Sequence, residues 1–289
     1  MKRIAFALIA TLLACSSVFA QKPTTYTFTD VTYPKDTFVQ LLGVNDAGTI
    51  AGYHGATTNK GFTFVLPESF TAENFPQSLQ TQVLAINSLT SPGTSGFYID
   101  KNNVTHGFEH CAGVWITVDF PGSTFNQVLG INNNAQGAGY YQDSAGNFHP
   151  YIYNKVGGVF EELYLPNTTS AQATAINNAQ TVVGFYLDSN QNAHGWELMN
   201  GSYITLNYPG AAQTMVTGIN NSNEIVGTFF DQAGGTHGFT YIKGQWTQID
   251  DPSGIGVTIL NGVNDGGTLV GFLNISTAVN TGFVAMPSE

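Results

Sequence analysis

Six times between residues 43 and 264 the chain repeats a small residue, an aliphatic residue and an asparagine. The steps are Gly43-Val44-Asn45, Ala85-Ile86-Asn87, Gly130-Ile131-Asn132, Ala175-Ile176-Asn177, Gly218-Ile219-Asn220 and Gly262-Val263-Asn264, with the asparagines 42, 45, 45, 43 and 44 residues apart. Internal repetition at such a period constrains a fold more than any local propensity does. None of the units shows a 3.6-residue apolar period, and Gly and Asn recur too often for helices. Each resolves into four short strands. The first runs into the anchor asparagine, as in Gln127–Asn132. The second ends in Gly-aromatic, as in Ile225–Phe230. The third opens with His-Gly-aromatic, as in His237-Gly238-Phe239. The fourth, such as Trp115–Phe120, stops at a proline, which cannot donate to a ladder and belongs at an edge. Turns of Asn, Asp, Ser, Ala and Gly separate them.

The count of strands predicts a closed ring. The sixth unit ends near Met286 with three strands, and an orphan fourth strand, Phe28–Pro34, precedes the first unit and aligns with Trp115–Pro121. A ring in which the N-terminal strand completes the last blade removes both exposed edges. The expected fold is therefore an all-β, six-bladed β-propeller with four strands per blade, a single domain over residues 21–289. The second unit departs most from the pattern, because Leu89–Thr94 replaces its first turn.

Ahead of the domain, Lys2 and Arg3, an apolar run from Ile4 to Ala14 and Val18-Phe19-Ala20 read as a signal peptide over residues 1–20. Leu12-Leu13-Ala14-Cys15 loosely resembles a lipobox, so anchorage at Cys15 is a competing, weaker reading. No later apolar run is long enough to span a bilayer. The expected location is outside the cell or in a bacterial periplasm. Removing the leader takes away the one arginine and leaves six lysines against 19 acidic residues, a formal charge of −13. Such a chain repels nucleic acid. It also lacks the arginine fork that commonly reads carboxylate, sulfate or phosphate. Only 9% of residues are charged, so the surface must be a neutral coat of amides and hydroxyls. Cys111 is alone in the mature chain and reads as a structural thiol.

Aligned units separate construction from exception. One aromatic column opens the fourth strand (Phe28, Phe70, Trp115, Phe160, Tyr203, Trp246). Another follows the His-Gly pair (Phe62, Phe108, Tyr151, Trp196, Phe239, Phe283). Blade packing explains six copies better than one sugar platform does. The histidine column reads Lys60, His106, His149, His194, His237 and Thr281. Its members sit on separate, diverging blades, too far apart to share a metal ion. They are expected to bond the turns that begin with Asp100, Asp143, Asp188 and Asp231. Asp188–Asn192 resembles the start of a calcium loop, but Ala193 and Met199 stand where glycine and a bidentate glutamate are required, so a structural Ca2+ is unsupported and no cofactor is expected. His54 and His110 fall outside the histidine column and are set apart as candidates. Glu161 and Glu162 are adjacent on one strand and point to opposite faces, and no hydrolase, zinc or phosphate-loop motif appears. Five residues before each anchor stand Gln40, Gln82, Gln127, Gln172, Met215 and Ile259. This column is expected at the channel entrance, where four amides offer a site for a neutral polar ligand or, alternatively, form a ladder between strands.

The anchor, His-Gly-Phe at 106 and 237, His-Gly-Trp at 194 and the proline-ended fourth strands resemble the HAF-repeat family of bacterial extracellular proteins over about Phe28 to Met286. The family name implies His-Ala-Phe where this chain has His-Gly-aromatic, and Lys60 and Thr281 replace the histidine in the first and sixth units. The resemblance implies export and a repeat fold, and no shared activity. The function expected from the neutral surface is non-catalytic binding, by a monomer, of neutral glycans or a cell-envelope partner. A polysaccharide-degrading hydrolase or lyase and a structural surface protein without a defined ligand are the competing readings.

Overall fold

The computed structural model describes residues 25–67, 69–166, 168–276 and 279–288. The expected leader and its Cys15 lie outside them. The described chain is built of strands, arranged as six four-stranded antiparallel sheets around a central channel. From the channel outward, blade 1 contains Val39–Val44, Ile50–His54, Lys60–Phe64 and Thr71–Ala72. Blade 2 contains Gln80–Ile86, Thr94–Ile99, Thr105–Cys111 and Val114–Val118, and blade 3 Asn126–Ile131, Gln136–Gln142, Phe148–Asn154 and Val159–Glu162. Blade 4 contains Ala171–Ile176, Val182–Leu187, Ala193–Met199 and Ser202–Leu206, and blade 5 Gln213–Ile219, Ile225–Phe230, Thr236–Ile242 and Gln245–Ile249. Blade 6 takes Thr258–Val263, Leu269–Ser276 and Val279–Ser288 from the C-terminus and Thr25–Val31 from the N-terminus. That last pairing sets Phe28 opposite Ala285 and Asp30 opposite Phe283. The orphan strand closes the ring as its alignment with the other fourth strands requires.

The six hydrophobic clusters lie between blades. One joins Val31 and Val284 of blade 6 to Val39, Leu41 and Phe62 of blade 1, and another joins Val118 of blade 2 to Val128 and Tyr151 of blade 3. Second strands are therefore buried on both faces, as Val182, Val183 and Gly184 show, whereas outer strands such as Ser202–Leu206 alternate with solvent. The two aromatic columns meet inside each blade. Phe62 lies edge-on to Phe70 at 5.1 Å and Tyr151 edge-on to Phe160 at 5.0 Å. The third-strand ring is buried in every blade. These rings are core, which accounts for all three tryptophans.

Glycine is imposed where the backbone leaves no room. A Cβ on Gly184 would collide with the Gln172 carbonyl and stand 2.8 Å from the Trp196 ring, and Gly52, Gly96, Gly139, Gly227 and Gly271 repeat that contact. Near the axis, a Cβ on Gly130 would lie 2.8 Å from Ala175 Cα, and one on Gly43 3.0 Å from Ala85 Cα. The small residue before each anchor is where inner strands touch.

Candidate functional site

Each inner strand carries one β-bulge, skipping a register step between residues such as Leu41 and Gly43 or Val128 and Gly130. A bulge turns an extra side chain out of the ladder. Here it turns Leu42, Leu84, Leu129, Thr174, Thr217 and Asn261 into the channel, where they line a bore of about 190 Å³. The bore is apolar on one side and polar on the other. Its polar residues are already engaged: Thr174 Oγ1 donates to Val216 O at 3.0 Å, Thr217 Oγ1 to Leu260 O at 2.8 Å and Asn261 Nδ2 to Leu41 O at 2.8 Å. They stitch blades 4, 5, 6 and 1 in succession.

At one end of the bore the anchor asparagines form a closed circuit. Asn45 Nδ2 donates to Asn87 O, Asn87 to Asn132 O, Asn132 to Asn177 O, Asn177 to Asn220 O, Asn220 to Asn264 O, and Asn264 back to Asn45 O, at 2.9–3.2 Å. The following residue makes a second circuit. The backbone N–H of Asp46, Ser88, Asn133, Asn178, Asn221 and Asp265 each donates to the side-chain oxygen of the next member, at 2.7–3.1 Å. Each anchor Oδ1 also accepts from its own turn, as from Thr181 N at 3.0 Å. Six identical asparagines are thus explained by closure. This end is a clasp.

The opposite, turn-bearing face holds the glutamine column. Gln40 Oε1 accepts from Tyr53 Oη at 2.5 Å, and Gln127 Oε1 from Tyr140 Oη at 2.7 Å. Gln82 Nε2 donates to Asn59 Oδ1 of blade 1 at 2.7 Å. Three amides are therefore held in fixed orientation, their other polar end without a partner among the described residues, and Gln172 completes the column on blade 4. All four lie one pleat beyond the bore residues, toward the turn face.

The histidine column lies on the same face, farther out. His149 Nε2 meets Asp143 Oδ2 at 2.9 Å, His194 Nε2 meets Asp188 Oδ2 at 3.2 Å and His237 Nε2 meets Asp231 Oδ2 at 3.3 Å. The other ring nitrogen faces the outer strand: His106 Nδ1 meets Asp119 at 2.6 Å, His194 Nδ1 meets Asn207 at 3.2 Å and His237 Nδ1 meets Asp250 at 2.9 Å. Each histidine staples its turn to the blade rim. Burial pulls the His237 imidazole down, but its bonds to Asp250 and Asp231 raise it above the usual histidine range. The bond from Asn192 N–H, with those from His194 and Asn190, holds Asp188 down at about 2.

His54 and His110 each fill a packing position. Tyr33 stacks on His54 at 3.6 Å as Phe75 stacks on Tyr98, Phe120 on Tyr141 and Tyr208 on Phe229, at 3.7–3.9 Å. His54 thus stands in the aromatic column of the second strands. His110 stacks on Trp115 at 4.0 Å, where Tyr241 packs on Trp246 in blade 5. Its Nδ1 lies 3.0 Å from Glu73 Oε1, which also accepts from the Thr94 hydroxyl. Glu73 is the exception that sequence reasoning passed over, since Val31, Val118, Leu163, Leu206 and Ile249 hold its position in the other blades. Buried Glu109 faces Lys155 Nζ at 3.6 Å. Among the described residues no three His, Cys, Asp or Glu side chains gather as metal ligands would, and no helix is long and apolar enough to cross a membrane.

No family model matches the chain, and no curated protein matches it in sequence. Solved structures share its architecture. TolB from Acinetobacter baumannii superposes with a TM-score of 0.58 at 9% identity, over 84% of this chain and 65% of that one. The SapL1 lectin, in complex with alpha methyl fucoside, gives 0.57 at 12% identity, over 87% and 96%. A catalytically inactive virginiamycin B lyase from Staphylococcus aureus, with quinupristin, gives 0.52 at 9% identity, over 91% and 100%. At these identities the likeness is one of fold. A lectin and a lyase on the same scaffold leave function to the side chains.

Proposed function

We propose that the chain is an exported, monomeric and non-catalytic binding propeller that takes neutral glycans on its turn-bearing face. The observation that carries this reading is the commitment of that face's histidines and carboxylates to repeated staples. Beside these staples the face offers amide, hydroxyl and aromatic groups, including the oriented ends of Gln40, Gln82 and Gln127. Neutral hydrogen-bonding groups beside aromatic surface suit a sugar, which offers hydroxyls on its edge and C–H groups on its face. Acidic charge and a mature chain free of arginine disfavour anionic glycans and nucleic acid. Export rests on the leader pattern in residues 1–20 and on the resemblance to HAF-repeat proteins. The lectins among the similar structures are compatible with sugar binding on this scaffold.

The test is a glycan array probed with residues 21–289, run beside turnover assays on the glycans retained. Retention of neutral glycans without turnover is the expected outcome. Cleavage of a retained glycan, or retention of anionic glycans alone, would refute the reading.

A further inference from the structure

Blade 3 breaks the repeat three times at one place. Where the other blades have Asn59, Thr105, Ala193, Thr236 and Asn280 before the column residue, blade 3 has Phe148. Where the others have glycine after it, blade 3 has Pro150. Just past the outer strands, where the other blades have Thr32, Asn74, Asp119, Asn207 and Asp250, blade 3 has Tyr164. His106, His194 and His237 bond the residue at that third position, whereas His149 turns to Glu162 at 3.5 Å. Tyr164 is thereby released from stapling and stands 75% exposed.

The middle substitution is compensated across the blade interface. A Cβ on Gly61, Gly107, Gly195, Gly238 or Gly282 would lie 2.6–2.9 Å from the side chain of Val83, Val128, Val216, Leu260 or Leu41 in the next blade. Opposite Pro150 the next blade places Ala173, the smallest residue of that column. Bulk has been moved from one wall of the interface to the other.

These departures converge on two adjoining cavities between blades 3 and 4 on the turn face. One, of about 370 Å³, lies between Phe148, Thr168–Ser170 and the blade 4 turn that carries Asp188, Ser189 and Gln191. The second, of about 290 Å³, lies between Phe148, Pro150, Tyr164 and Leu165. Asn147, Phe148 and Thr168–Ser170 form the wall between them. Phe148 is fixed there by an edge-on contact with Tyr140 at 5.0 Å and by its N–H bond to Ser170 Oγ at 3.1 Å. Among the described residues neither lining includes a lysine or arginine, and the Asp188 carboxylate already accepts from Asn190 and Asn192 N–H.

We infer that this cleft is a two-subsite binding site for a neutral disaccharide unit, one ring in each cavity, with Phe148 between them and Tyr164 as the outer platform. The inference rests on the neutral-glycan reading and assigns it a place. Apolar ring faces would receive the C–H face of each sugar, and the Thr168, Thr169 and Gln191 side chains its hydroxyls. Each cavity is large enough for one pyranose ring, and the two lie side by side across a shared wall.

The test replaces two of the three exceptions, Phe148 and Tyr164, by residues that other blades carry at those positions. Phe148→Thr and Tyr164→Asp, in residues 21–289, are titrated calorimetrically with neutral di- and trisaccharides and with a uronic-acid disaccharide as control. Tyr164 is exposed, so Tyr164→Asp should keep the wild-type melting temperature. Binding of a neutral disaccharide by wild type, at least fivefold weaker in each variant, is the expected result. Equal binding by wild type and both variants overturns the cleft assignment and leaves glycan binding intact. Failure of wild type to bind any neutral saccharide removes both.

Discussion

The asparagine circuit makes a quantitative demand on stability. In Asn132→Ala, the donor to Asn177 O at 3.0 Å and the acceptors for Asn134 N at 2.9 Å and Gln136 N at 3.1 Å disappear together. Asn134 is exposed, so its N–H recovers a bond from water. Asn177 O keeps the Gln180 N–H at 3.1 Å, but buried Gln136 loses two partners, the acceptor for its N–H and the Asn132 Nδ2 donor to its Oε1 at 3.0 Å. A buried polar group left unpaired costs about 1–3 kcal/mol, so two such groups give a loss of about 4 kcal/mol. Asn134→Ala, which removes an exposed bond to Asn178 O at 2.9 Å, should cost less than about 1 kcal/mol. Urea unfolding followed by tryptophan fluorescence compares the two. Asn132→Asp adds a pH signature. The new carboxylate keeps the acceptor role but turns an oxygen toward Asn177 O, which raises its folded pKa above the unfolded value near ~3.9. Its full stability is then present only below that unfolded value and is lost as pH rises through the folded one. A loss under about 1.5 kcal/mol for Asn132→Ala, or equal losses for Asn132→Ala and Asn134→Ala, would refute the claim that the circuit holds the ring.

Further outcomes follow from the same structure. The His237 pKa is raised, so its contribution is full below ~6.5 and is lost as pH rises through the folded value. Asp188 and Asp231 are lowered, the latter chiefly by Gly235 N–H and His237, so theirs is present above ~3.9 and lost in acid. Melting temperature should therefore peak between pH ~4 and ~6.5, and His237→Asn should flatten the alkaline limb; a wild-type maximum above pH 7 contradicts this. Burial pushes the Glu109 carboxyl up while Lys155 pulls it back. Lys155→Met should cost about 3 kcal/mol at neutral pH, the low end for a broken buried pair because the lysine is partly solvated. That deficit should vanish near pH 4, where protonated Glu109 carries no charge, and equal deficits at both pH values would exclude the pairing as its cause. Gly184→Ala should cost about 3 kcal/mol or more by calorimetry, because its Cβ meets the Gln172 carbonyl and the Trp196 ring. Gly244→Ala, with φ +87° and open space around it, should cost about 1 kcal/mol.

Strand order, blade number and the N-terminal closure are legible in the sequence because each depends on counting units against a fixed period. Packing roles are legible where a column is uniform, as with Phe62, Phe108 and Phe239. They are hidden where a column tolerates mixed chemistry. His54 looks exceptional beside the histidine column, yet in space it lies with Tyr98, Tyr141, Tyr186 and Phe229, held by the ring of Tyr33. The anchor asparagine repeats in plain sight, but its amide reaches a carbonyl 42–45 residues onward, and from Asn264 back to Asn45. That bond exists only once the ring has closed. Glu73 is hidden because a single polar residue in an aliphatic column carries no mark of its own in the sequence, and only the fold brings His110 and Thr94 to it.

The blade 3–4 cleft shows why repetition and function are separable in this chain. Two hydrogen-bonded circuits and six interfacial cores repeat the same support six times. At the blade 3–4 interface the anchor bond from Asn132 to Asn177 O is kept, and the departures lie on the turn face instead. Phe148, Pro150 and Tyr164 each stand in the sequence as deviations, but they sit on one strand and the loop that follows the next, and only the register brings them to one cleft. Pro150 alone would collide with a valine at the next blade. With Ala173 there, the exchange preserves volume while changing what lines the surface. Random drift at a buried interface predicts loss of packing, with a void or a strained backbone. The observed pattern keeps the interface filled below and opens it above, beside two aromatic rings. A construction element has been altered on both of its walls at the one place where an aromatic platform has also been freed, and that coincidence is the physical argument for a site.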